Sequence, residues 1–117
     1  MRRMITVVAV LVAVAACNES MKKFSNSKTD AARSMTKQLA FEAYPQWSQT
    51  HTTKMCPDKI DELAEFVNEP HLADPWGHPY KMLCGPAAPP DAKGMLVVSL
   101  GEDGQDGTAD DIKSTDK

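Results

Sequence analysis

The stretch from Gly101 to Asp111 puts five carboxylates and three glycines into eleven residues. Each glycine costs a helix about 1 kcal/mol relative to alanine, and Gly and Asp are both poor strand formers. What remains is a loop. Two kinds fit: a solvated acidic end, or a folded loop turning its carboxylates and carbonyls inward around a hard cation. The packaging favours the second, because the apolar run Met95-Leu96-Val97-Val98 feeds the loop and Ile112 closes it. Calcium suits such a site, since it takes six to eight oxygen ligands, and the glycines supply positive-φ turns. The loop is not an EF-hand. With Asp103 as position one, Ser114 stands at position twelve, where a Glu is required.

The other end of the chain sets the compartment. Arg2 and Arg3 precede an apolar run from Met4 to Ala16, broken only by Thr6. That is the length of a signal-peptide core and short for a membrane span. It ends Val14-Ala15-Ala16-Cys17, small residues directly before a cysteine, which resembles the bacterial lipobox. The expectation is a lipoprotein signal peptide over residues 1–16, with Cys17 lipidated as the first mature residue; the alternative is an ordinary cleaved signal. Acyl chains contribute about 0.8 kcal/mol per buried CH₂, and more than one gives stable anchoring. Residues 17–28 then read as a polar tether, and residues 29–117 as one small domain.

Losing the two leader arginines takes the formal net charge from −3 to −5. Residues 99–117 alone carry six acids and two lysines, so most of the excess charge sits at the loop. No basic face suggests nucleic acid. Cys56 and Cys84 remain after Cys17, and an exported pair normally forms a disulfide. Closing that loop stabilises the fold by roughly 3–4 kcal/mol if the effect is chain entropy. Zinc on Cys56, His71, His78 and Cys84 is the alternative, but their spacings match no usual ligand pairing. There is no C-x-x-C for redox chemistry.

Along the domain, Ala31, Ala32, Met35, Leu39 and Ala43 share a helix face. This helix is expected to begin near Thr29, capped by Ser27 or Thr29, and to stop or kink at Pro45. Trp47 reads as a packing residue. A second short helix is expected after Pro57, with Asp58, Asp61 and Glu62 favouring its N-terminus. Its apolar stripe is Ile60, Leu63, Ala64 and Val67. Two prolines and a glycine make Asp74-Pro75-Trp76-Gly77-His78-Pro79-Tyr80 a turn. Strands follow over Tyr80–Cys84 and Met95–Leu100, pairing antiparallel. The fold class is α+β: an N-terminal helix, a second short helix, a small antiparallel sheet and a C-terminal calcium loop.

Taken together, the turn and the acidic loop resemble the major pseudopilin of the type II secretion system, the protein G family. That family carries an Asp-Pro-Trp-Gly-x-Pro-Tyr turn, matched by Asp74 to Tyr80 with His78 at the variable position. It then has a strand ending in Ser-x-Gly-x-Asp-Gly, matched by Ser99, Gly101, Asp103 and Gly104. An acidic Asp-Ile segment follows, matched by Asp111-Ile112. The resemblance implies a pilin-like head with a structural calcium site. Asp103 and Asp110 are then the best side-chain ligands, with the Leu100 carbonyl and Asp111; Asp106 ranks below them.

One departure is plain. Family members begin with a processed Gly, then Phe-Thr-Leu-Ile-Glu and a long apolar assembly helix. Here the apolar run ends at a lipobox, and no acid precedes Glu19. The resemblance therefore implies a family head on a lipid anchor, with filament building not carried over.

No nucleophile elbow, phosphate loop or metal-hydrolase motif is present, so no enzymatic activity is expected. His51 and His71 read as surface residues. The leading expectation is a structural or accessory component of a type II secretion apparatus. It would be held to the inner or outer membrane by lipid, facing the periplasm or cell surface, with secretion-apparatus proteins as partners. The alternative is a free-standing envelope lipoprotein that works as a binding module. A small envelope enzyme comes third.

Overall fold

The computed structural model describes residues 27–117. The expected signal peptide, Cys17 and most of the tether lie outside the described residues. Residues 27 and 28, assigned above to the tether, are helical. One helix, α1, runs over residues 27–50. It does not stop at Pro45. Instead Leu39–Ala43 widens into a π turn, in which the Tyr44 N–H reaches the Leu39 carbonyl, and Tyr44–Thr50 continues as α-helix. The physical reason is local. Proline lacks the N–H for a bond to the carbonyl four residues back, and its ring crowds that carbonyl. A widened turn just before it relieves the crowding and lets the helix go on.

The inner face of α1 buries Ala32, Leu39, Ala40, Ala43 and Trp47. Trp47 is fully buried and stacks on His51, with ring centroids 4.5 Å apart. His51 is therefore half-buried packing, not the surface residue expected of it. Its Nδ1 lies 3.0 Å from the Trp47 carbonyl oxygen.

The second helix is present but is 3₁₀, not α, over Ile60–Phe66. At three residues per turn, Ile60, Leu63 and Phe66 stack in one row. Leu63 is fully buried, and the other two pack against the same core. The Glu62 carboxylate turns back to accept the Lys59 N–H at 3.1 Å and also that of Asp58. It thereby satisfies donors a helix start leaves open. The Lys59 bond is the main reason Glu62 titrates below the ordinary carboxylate range.

Three strands form one antiparallel sheet in the order β1-β2-β3: β1 Lys81–Cys84, β2 Met95–Ser99 and β3 Ile112–Lys113. Lys81 pairs with Val98 and Cys84 with Met95; Ser99 pairs with Ile112. Strand β3 forms where the sequence shows only the apolar anchor Ile112. All five residues of β2 are buried, because both faces of the central strand are covered. Met95 and Val97 join α1 and the 3₁₀ helix in the main core, while Leu96 and Val98 meet Ala92 from the 85–94 connection. Burial on both faces explains why β2 reads as a continuous apolar run.

Two long-range ties close the domain. Cys56 and Cys84 form the disulfide, with Cα atoms 5.9 Å apart, and so are not available as zinc ligands. At the other end, Lys37 Nζ on α1 donates to the carbonyls of Ser114, at 2.9 Å, and Asp116. Ser114 is itself buried and donates its N–H to the Val97 carbonyl, while its Oγ accepts the Val97 N–H.

Candidate functional site: the acidic loop and its supporting turn

Asp74 organises the turn at residues 74–80. It is buried, and its Oδ1 accepts the N–H groups of Trp76, at 3.1 Å, and His78, at 2.8 Å. Its own N–H donates to the His78 carbonyl at 2.8 Å. A short acidic side chain that bonds the backbone just ahead of it is what an Asx-type turn requires. The other oxygen, Oδ2, accepts the hydroxyl of Ser99 at 2.9 Å. Ser99 Oγ in turn accepts the N–H of Gly101 at 3.3 Å. A chain of bonds thus runs from the turn through the end of β2 to the first residue of the acidic loop.

Gly101 sits where only glycine fits. Its φ is +73°, and a Cβ there would stand 2.4 Å from the Asp110 carbonyl oxygen and 2.7 Å from the Asp110 Cβ. The two ends of the loop therefore meet backbone to backbone. Asp111 closes the inner turn, its Oδ2 accepting the Gly107 N–H at 2.8 Å. Asp103 is exposed, and its Oδ1 accepts the Gln105 N–H at 3.0 Å. Asp106 pairs with Lys81 of β1. That hydrogen bond is the first reason its carboxyl lies below the ordinary range.

The expected ligands are therefore only partly gathered. Asp110 and Asp111 line one cleft of about 340 Å³, with Glu102, Asp116, Arg33 and Trp76 among its other walls. Asp103 is not among the lining residues, and Leu100 is half-buried against the apolar cluster beneath β2. Among the described residues, no three His, Cys, Asp or Glu side chains converge closely enough to hold a metal ion. The donor set still suits a hard cation in kind, because it is all oxygen. The Gly101–Asp110 approach also makes a backbone cradle that a side chain would fill.

Four residues outside the expected ligand set support the loop: Asp74, Ser99, Lys37 and Lys81. The partnership of Asp74 with Ser99 was open to view, since both belong to the motifs quoted above. Lys37 and Lys81 left no signal, because each acts on residues far along the chain. Ser99 is buried with its hydroxyl proton directed at Asp74.

The long helix α1 laid on a small antiparallel sheet, with an acidic loop hung from its last strands, defines a pilin-like α+β head. The chain matches the family described as Type II secretion system (T2SS), protein G, over residues 19–115, and it belongs to that family. No curated protein and no solved structure is similar enough to stand beside the family match. Membership gives the chain a pseudopilin-like role in secretion, in the cell envelope, among other components of that apparatus. The family is structural, not catalytic. Among the described residues, no helix is long and apolar enough to cross a membrane.

Proposed function

We propose that this chain is a lipid-anchored, calcium-stabilised protein G-type head, serving as a structural or accessory part of a type II secretion apparatus. The observation that carries the reading is the bonded path Asp74–Ser99–Gly101. It hangs the acidic loop from the rigid turn, so that order in the loop and order in the sheet are coupled. A cation among the loop's carboxylates would relieve their repulsion and stabilise the whole head. Lipid on Cys17 anchors the head to the membrane. The reading draws on the lipobox-like Val14-Ala15-Ala16-Cys17 for its anchor.

The test is thermal unfolding of the oxidised chain from Asn18 onward in calcium, in magnesium and in a chelator. A ligand that binds only the folded state stabilises by about 2.7 kcal/mol at one hundred times its Kd. A rise in Tm with calcium and not with magnesium supports the calcium loop, and no shift at millimolar calcium discards it. Metabolic labelling with palmitate, lost in Cys17→Ser, tests the anchor. In-cell crosslinking tests the partners: secretion-apparatus components support the leading role, and their absence favours the free-standing binding module.

A further inference from the structure

The segment from His78 to Lys81 touches the acidic loop at two points. The ring of His78 lies against Gly104, where a Cβ would stand 2.7 Å from Cε1, 2.8 Å from Nε2 and 3.0 Å from Nδ1. Three residues on, Lys81 pairs with Asp106. Two positions on one segment therefore hold two positions on the loop, about 25 residues further along the chain. Of the four residues only Gly104 belongs to a motif that carries the family resemblance: His78 fills the variable position of the turn, Lys81 lies beyond it, and Asp106 lies past the Ser99–Gly104 motif.

We propose that His78 and Lys81 form a metal-independent latch over residues 104–106, with the Lys81 ammonium as the standing counter-charge of Asp106. Asp106 then stands outside any cation's ligand set. A half-exposed ion pair alone fixes little. Here the same segment is already held by Asp74 and by its place in the sheet. The second contact therefore orders few additional groups, and the conformational cost of making it is small. The latch also neutralises one of five clustered carboxylates, so the loop keeps its outer turn when no cation is bound. The cation arm of the test rests on the calcium reading above; the latch itself does not.

The experiment is amide hydrogen exchange on the full chain, wild type against Lys81→Met, Lys81→Arg and Asp106→Asn, in chelator and in saturating calcium. In chelator, the amides of Gln105 and Gly107 should exchange several-fold faster in Lys81→Met and Asp106→Asn. Lys81→Arg should restore protection, and the amides of Val97 and Ser114 should not change. In calcium, the difference between wild type and Lys81→Met should shrink. Equal exchange of wild type and Lys81→Met in chelator overturns the latch. An Asp106→Asn chain that keeps its protection in chelator but loses calcium's stabilising effect makes Asp106 a ligand, and also overturns it. A wild type indifferent to calcium, with faster exchange in Lys81→Met, discards the calcium reading and supports the latch.

Discussion

The hydroxyl of Ser99 donates to Oδ2 of Asp74 at 2.9 Å, joining two buried polar side chains 25 residues apart. Removing one partner leaves the other buried and short of a hydrogen bond. Ser99→Ala should therefore destabilise the domain by about 1–3 kcal/mol, the cost of an unsatisfied buried group. Asp74→Ala should cost more, because the Trp76 and His78 amides lose their acceptor as well. Urea denaturation of both single variants and the double variant gives the coupling, expected at about 0.5–3 kcal/mol for residues in direct contact.

Asp103 is the most exposed test of the calcium reading. In the structure its carboxylate spends one oxygen on the Gln105 amide, leaving the rest for a cation. Asp103→Ala should abolish the rise in Tm with calcium while costing little in chelator. A calcium response equal to that of wild type removes Asp103 from the ligand set.

The Cys56–Cys84 bridge ties the stretch before the 3₁₀ helix to the end of β1. Its loss in the double serine variant should cost about 2–5 kcal/mol, the range for native disulfides of small domains. Tyr44 still donates its hydroxyl to the Met55 carbonyl at 2.7 Å, so local order near residue 55 should partly survive. Thermal melts with and without reductant check the cost.

Tyr80 sets the behaviour at alkaline pH. Burial raises its pKa first, and the negative charges of Asp74 and Glu69 raise it further. A raised folded-state pKa means stability that is complete below the unfolded value, about 10, and is lost as pH climbs from there through the folded value. The domain should thus weaken above about pH 10. Tyr80→Phe should flatten that part of the decline, as read from denaturation midpoints across the alkaline range.

Much of this protein follows from local chemistry. The acidic, glycine-rich loop could be nothing but a loop, two cysteines behind a signal-like leader predicted their bridge, and the spacing of Leu39 and Ala43 gave α1 its inner face. The turn at 74–80 was legible because Pro, Gly and an Asx side chain act within a few residues. The same local signals left open whether the helix stops or continues at Pro45, and they did not show that the helix at Ile60–Phe66 is 3₁₀. In both places the core decides: α1 continues because Trp47 has a buried seat beyond the proline, and the second helix keeps its expected stripe of Ile60, Leu63, Ala64 and Val67 on that core and adds Phe66 to it. The candidate site divides in the same way. Its acids are written in the sequence, whereas their use is not. Only the tertiary structure places Asp74 beneath Ser99, Gly101 against Asp110 and Lys81 beside Asp106. Those contacts depend on which distant residues the sheet register and the packed helix bring together, and no short-range pattern encodes that.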